Sequence, residues 1–146
     1  MPYEFQVVID CSRPHELADW WAETLGWVVE PQDEAFIKRM IAEGYATEDA
    51  TTTHRGALVW RDGAAIRHPD ELSARGPHPR VLFQQVPEGK TVKNRLHLDV
   101  RVGAPDVDSA VEALTARGAR VLHTGAQGPH TWVTMADPEG NEFCVS

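Results

Sequence analysis

The chain contains an internal repeat, and this repeat limits the folds it can adopt more than any other feature. Residues 6–11 align with residues 97–102 at an offset of 91, and Gly26 aligns with Gly118 at an offset of 92. Each half has the same order of signals: a strand, a turn with proline, a helix that stops at glycine, and further strands. A period of about 90 residues is too long for a solenoid. The sequence therefore predicts a duplicated β-α-β-β-β module.

Local signals place the remaining elements of the first half. Asp33 is a suitable N-cap for an extra helix over residues 34–43, and residues 46–53 have the composition of a polar connector. Residues 57–60 predict a short strand, which puts Trp60 on a central strand. Three prolines and one glycine in residues 68–79 predict a surface loop.

The second half ends in a predicted hairpin. Residues 132–135 and 142–145 alternate like strands, and the segment between them reads Asp137-Pro138-Glu139-Gly140. These residue types at the first, second and fourth positions favour a type I turn.

Composition excludes several classes of protein. A chain of 146 residues, with 42% hydrophobic and 25% charged residues, is typical of one globular domain. The net charge of −8 argues against nucleic acid or an anionic membrane as a partner. We expect a cytoplasmic protein, because the sequence begins without a secretory leader and lacks a membrane-length apolar run. Its only cysteines, Cys11 and Cys144, lack a zinc-type or redox spacing and are expected to be reduced, and a disulfide between them would require the two end strands to meet.

The second module carries His97 on its first strand and closes with the motif Asp137-Pro138-Glu139-Gly140-Asn141. Together with the paired modules, these features resemble the vicinal-oxygen-chelate superfamily. This superfamily includes glyoxalases, bleomycin-resistance proteins and extradiol dioxygenases. Residues 90–99 look like the module junction of its glyoxalase-like proteins. The resemblance implies an α+β fold, in which the mixed sheets of paired β-α-β-β-β modules form a cup with the helices outside. The single domain, 1–146, would comprise module one (about 4–89, with an extra helix and loop at about 33–56) and module two (about 95–146).

The resemblance also implies where a divalent ion such as Zn, Ni, Mn or Fe would bind. Metal-dependent members take ligands from the first and last strands of each module, which places Gln6 and His97 at the two first-strand positions. The family's last-strand glutamate falls on Cys144, while Glu142 lies two residues earlier on the same strand face. A retained metal would therefore use Gln6, His97, Cys144 and Glu142; the missing glutamate equally indicates that the metal has been lost. In module one, Gln84 and Gln85 compete for the equivalent position.

Alternation along the first strand of module two predicts a polar cavity or a wet interface, whose polar residues either bind a ligand or form a structural network of ion pairs. His97, Asp99 and Arg101 share one face, opposite apolar residues that suit helix packing. Trp60 and Trp132 are candidates for its aromatic wall, and Asp99 and Glu142 are the two carboxylates nominated for proton transfer. The full set of predicted ligand-binding residues is Gln6, Trp60, Gln85, His97, Arg101 and Trp132.

Three functions remain open from the sequence. The first is a protein that binds a small molecule, with aromatic molecules among the candidates, without a tightly bound metal. The second is a metal-dependent lyase, isomerase or dioxygenase acting on adjacent oxygens, and the third is a degenerate domain used as an interaction module. A homodimer is expected in each case, since superfamily members usually dimerise and the small sheets leave edges to cover.

Overall fold

The structure, a computed structural model, describes residues 2–70 and 80–146. It contains two compact units, Met1–Glu88 (unit 1) and Gly89–Ser146 (unit 2). Most of the loop predicted at residues 68–79 lies outside the described residues. Within the described ranges, no helix is long and apolar enough to cross a membrane.

Unit 1 is built on a mixed four-stranded sheet with helix α1 on one face. Its strands are β1 (Val7–Cys11), β2 (Val28–Val29), β5 (Gly63–Arg67) and β6 (Arg80–Gln85), in the order β1-β6-β5-β2. Strand β1 is parallel to β6, and the other pairs are antiparallel. Helix α1 (Pro14–Leu25) starts on proline and ends at Gly26, as the sequence predicts. Its buried face includes Leu17, Ala18 and Trp21.

An inserted segment separates β2 from β5. It contains α2 (Glu34–Ala42), β3 (Thr51–His54) and β4 (Ala57–Trp60), and β3 and β4 form their own two-stranded sheet. Asp33 caps α2 by accepting from the Phe36 amide, as expected. The hairpin contacts α1 through the His54 Nε2–Asp19 Oδ2 pair at 2.6 Å and through His15 Nε2, which lies 2.7 Å from the Trp60 carbonyl oxygen.

The insertion differs from its predicted form. Residues 51–54 are a strand rather than a polar connector, and they pair with β4. Trp60 therefore lies in this hairpin and not on a central strand of the sheet. Threonine is a good strand former, but the segment lacks the apolar alternation from which a strand is inferred.

Unit 2 repeats the topology of unit 1 without the insertion. It contains β7 (Leu98–Val100), α3 (Val107–Ala116), β8 (Arg120–Gln127), β9 (His130–Ala136) and β10 (Glu142–Val145), with strand order β7-β10-β9-β8. Strand β7 is parallel to β10, as β1 is to β6. The mixed α+β fold, with a β-α-β-β-β arrangement in each half, is therefore confirmed.

The hairpin β9–β10 closes through the motif at residues 137–141. The Gly140 amide donates to the Asp137 carbonyl at 2.9 Å, which is the bond of the predicted turn. The Asp137 side chain is 2% exposed, and its Oδ1 accepts from the Glu139 and Asn141 amides at 2.9 Å each. Asn141 also donates from Nδ2 to this carboxylate and accepts at Oδ1 from Asn94. The motif thus has a structural role, because it ends one strand and fastens residue 94 to the turn.

Candidate functional site

The unit 2 sheet has one apolar face and one polar face. Leu98, Val100, Phe143, Val145 and Met135 alternate with the polar residues, and most of them are fully buried. The opposite face, called here the open face, lines a trough to which all four strands contribute.

The open face of unit 2 is ordered in three rows that run across the strands. The pairing registers, extended by one residue at the ends of β7 and β10, define each row. The end row is His97, Glu142, Ala136, Arg120; the middle row is Asp99, Cys144, Thr134, His123; and the far row is Arg101, Ser146, Trp132, Gly125.

The centre of the open face brings together three residues that can donate to a metal. One ligand atom from each of His97, Asp99 and Cys144 lies within 4.8 Å of the others. The His97 Nε2–Asp99 Oδ1 distance is 3.4 Å, and the Cys144 thiol lies 3.4 Å from the Thr134 hydroxyl. His97 and Asp99 are exposed, whereas Cys144 is half-buried. Among the described ranges this is the one group of at least three such side chains.

Glu142 is held by the segment that precedes β7. Its Oε1 accepts from Lys90 Nζ at 2.7 Å, and its Oε2 accepts from the Asn94 amide at 3.1 Å. The side chains of Lys90 and Glu142 are 20% and 11% exposed. Burial on its own raises the pKa of the Glu142 carboxyl, but the Lys90 hydrogen bond, the backbone amides and the Lys90 charge outweigh it and lower the pKa to about 2.

This environment bears on the predicted catalytic role of Glu142. A carboxylate with a pKa of about 2 is a weak base, and it is already bonded to two donors. Asp99 is the other nominated carboxylate, and it lies on the open face beside Cys144.

The indole ring of Trp132 lies against Gly125 of strand β8. A Cβ atom built on Gly125 would collide with the indole ring, so only glycine fits opposite this tryptophan. Trp132 and Arg101 belong to the same row and both line the trough, where the sequence analysis places an aromatic wall and a cation. Thr134 and His123 also line it and were missed; the alternation of Thr134 with Trp132 along β9 is the signal that could have found the first.

The candidate residues of unit 1 are placed differently. Gln6 precedes β1 and accepts at Oε1 from Arg80 at 3.1 Å, and Arg80 also donates to both oxygens of Glu30. Gln85 is in register with the buried Cys11 on the helix face, and its side-chain Nε2 donates to the Ser12 carbonyl oxygen. Gln84 pairs with Asp10 on the sheet face opposite α1, which is the open face of unit 1. Gln84, and not Gln85, therefore lies on the face of Gln6. A cavity shared by Gln6 and His97 stays a prediction.

Two β-α-β-β-β units with open mixed sheets are the architecture of the vicinal-oxygen-chelate superfamily. A family model described as a glyoxalase-like domain matches residues 6–146, and the chain belongs to this family. No curated protein sequence matches the chain.

Solved structures of low sequence identity share the fold. A glyoxalase/bleomycin resistance protein/dioxygenase family enzyme from Burkholderia phytofirmans PsJN is 14% identical, with a TM-score of 0.60 over 96% of this chain and 94% of that one. A hypothetical protein from S. aureus is 12% identical, with a TM-score of 0.59 over 99% and 96%. A mutant of the fosfomycin resistance protein FosX from Listeria monocytogenes, complexed with Mn(II) and 1S,2S-dihydroxypropylphosphonic acid, is 7% identical, with a TM-score of 0.62 over 99% and 90%.

The ligand set implied by the superfamily is incomplete in this chain. On the last strand of unit 1, the open-face residues nearest Gln6 are Arg80 and Leu82, neither of which ligates a metal ion. On the last strand of unit 2, Cys144 stands at the glutamate position and Glu142 is bonded to Lys90. The residues therefore do not fit the superfamily's metal centre. Of the implied ligands, His97 and Cys144 lie together on the open face of unit 2, and their third neighbour, Asp99, is not part of the implied set.

Proposed function

We propose that this protein binds a small molecule on the open face of unit 2 and does so without a tightly bound metal ion. The observation that carries the proposal is the composition of that face, where polar side chains surround Cys144 and Trp132 lies at one end. Trp132 would offer a flat apolar surface to a planar group, and Arg101 and Asp99 would fix polar groups of the ligand by hydrogen bonds. The incomplete ligand set supports the absence of a metal.

Binding can be tested with bleomycin and fosfomycin, the compounds in the relatives' names, together with a panel of aromatic fragments. We expect at least one of these probes to bind in calorimetry, and Trp132→Leu to weaken that binding by about tenfold or more. Trp60→Leu is the matched control, because Trp60 is the other predicted wall residue but lies in the inserted hairpin. Equal loss in both variants would contradict the proposed site, and so would the failure of every probe to bind.

Metal content gives a separate test. Protein purified without chelator should carry less than about one metal ion per two chains, because the ligand set is incomplete. A full equivalent that disappears in His97→Ala would overturn the proposal of a metal-free binding protein.

One observation favours the alternative, a metal-dependent lyase, isomerase or dioxygenase. Imidazole, carboxylate and thiolate donors are suitable ligands for Zn²⁺, and in His97, Asp99 and Cys144 they lie within 4.8 Å of one another. This alternative requires metal-dependent turnover of a substrate with adjacent oxygens, and Asp99→Asn should abolish it.

The protein is further proposed to act as a homodimer in the cytoplasm. Cys11 and Cys144 form no disulfide with each other, which suits a reducing compartment, and β8 is an eight-residue strand that pairs on one side with β9. Light scattering that gives only a monomer at micromolar concentration would contradict the dimer.

A further inference from the structure

Lys90 and Glu142 form an ion pair beside the three potential metal ligands. Extending the β7–β10 register by one residue places Glu142 next to His97, and both line the trough with Asp99 and Cys144. The Glu142 carboxylate is turned to Lys90 and the Asn94 amide and is not part of the group of ligand atoms that lie within 4.8 Å of one another, although its backbone neighbours that of His97 on the adjacent strand. It is also the one carboxylate on the open face of the last strand.

Lys90 is fixed in place rather than loosely solvated. Its Nζ donates to Glu142 Oε1 at 2.7 Å and to the Val92 carbonyl oxygen at 2.9 Å. Only 20% of the side chain is exposed, so its charge is less screened than that of a surface lysine. Lys93, three residues later, lines the trough, whereas Lys90 lies behind Glu142 and is not among the lining residues. Lys93 Nζ donates to the Asn94 carbonyl oxygen and to no carboxylate among the described residues.

We infer that the Lys90 ammonium takes the place of a divalent cation as the counter-ion of Glu142, and that this lysine keeps the metal affinity of His97, Asp99 and Cys144 low. Two effects act together. The ion pair withdraws from the group its fourth donor, and the positive charge repels an incoming cation. The inference rests on the proposed function, in which the trough works without a tightly bound metal ion.

The inference predicts that one substitution converts the trough into a metal site. Lys90→Met keeps the length of the side chain and removes its charge, which frees Glu142 to join His97, Asp99 and Cys144. We expect the dissociation constant for Zn²⁺, measured by calorimetry with ZnCl₂ alone, to fall by about tenfold or more. Co²⁺ should then give the charge-transfer absorption of a thiolate ligand.

Matched variants separate this mechanism from a general effect of charge. Lys93→Met changes the net charge equally and leaves Glu142 paired, so its Zn²⁺ affinity should change by less than about twofold. The double variant Lys90→Met/Glu142→Gln should lose the gain, because the freed carboxylate is absent. An equal gain in Lys93→Met, a gain that survives Glu142→Gln, or no gain in Lys90→Met would overturn the inference.

The role of Lys90 can be tested even if the Lys90→Met variant does not fold. If Lys90→Met unfolds without metal, circular dichroism in the presence of ZnCl₂ should show recovery of the fold, since metal binding would then be coupled to folding. Two results together would count against the role of Lys90: ZnCl₂ fails to restore the fold of Lys90→Met, and the milder variant Lys90→Gln fails to raise the Zn²⁺ affinity. The proposed function is judged by different data, namely the metal content of the native protein and the effect of Trp132→Leu.

Discussion

The two units share one topology, but the open faces of their sheets differ in chemistry. Aligning the β1–β6 ladder with the β7–β10 ladder matches Val8 with Asp99 and Leu82 with Cys144. The β5–β6 and β9–β10 ladders match Ala65 with Thr134. Val8, Leu82 and Ala65 in unit 1 are therefore apolar, whereas the residues at the equivalent positions of unit 2, Asp99, Cys144 and Thr134, are polar.

The helix faces show the opposite behaviour. Val81 and Phe83 on β6 correspond to Phe143 and Val145 on β10, and all four are buried. An apolar helix face is needed for each unit to fold, whereas the open face is free to diverge after duplication. The comparison therefore favours the open face of unit 2 as the location of the proposed binding site.

The largest predicted effect on stability tests the feature that the two units share, the buried apolar helix face of each sheet. Phe83→Ala and Phe143→Ala each remove a side chain with 0% exposure, and each should destabilise its unit by about 3–5 kcal/mol. Urea unfolding followed by circular dichroism measures both. A cost below about 1 kcal/mol for one of the two would show that its helix face is not a packed core.

The shared part is also what could be predicted from the sequence. Pro14, Gly26 and the turn at Asp137 carry their structural signals locally, so the elements they bound are placed correctly. The partner of Glu142 could not be predicted in this way, because Lys90 is 52 residues away and the pair depends on the fold. The choice between Gln84 and Gln85 likewise depends on register, since neighbouring residues of a strand point to opposite faces.

The second prediction concerns the pH dependence of the Lys90–Glu142 pair. Glu142→Gln should lower the free energy of unfolding at neutral pH by about 1–3 kcal/mol, because a charged hydrogen bond is lost in a largely buried position. The pKa of Glu142 is about 2 in the folded chain against 4.5 in the unfolded chain, so the unfolded chain binds more protons between these values. The stabilisation is complete above pH 4.5 and is lost as the pH falls towards 2.

Thermal unfolding of both proteins across that range measures this difference. The gap between native protein and Glu142→Gln should be constant above pH 4.5 and should narrow below it. A gap that stays the same down to pH 2 would mean that Glu142 is not the group responsible.

A third prediction compares glycines on the two open faces. Gly125→Ala should destabilise unit 2 by about 1–3 kcal/mol and displace the Trp132 ring, because the added methyl group collides with it. Gly63→Ala is the control on unit 1, where a Cβ would make ordinary contacts with the Phe83 carbonyl oxygen and Leu82 at 3.5 and 3.6 Å. Its cost should be about 1 kcal/mol or less. Equal costs would show that Trp132 does not lie against Gly125 in solution.

The smallest effect on stability is expected from Cys144→Leu, which gives unit 2 the residue that unit 1 has at the equivalent position, Leu82. Cys144→Leu replaces a half-buried thiol, so the free energy of unfolding should change by less than about 1.5 kcal/mol. The reactivity of the protein towards a disulfide reagent should change much more than its stability.

Native protein should titrate one fast thiol per chain with such a reagent, because Cys11 is 4% exposed and donates to the Gln84 carbonyl oxygen, while Cys144 lines the trough. The variant should show no fast thiol until it unfolds. A fast thiol that persists in Cys144→Leu would place Cys11 at the surface and contradict the buried helix face of unit 1.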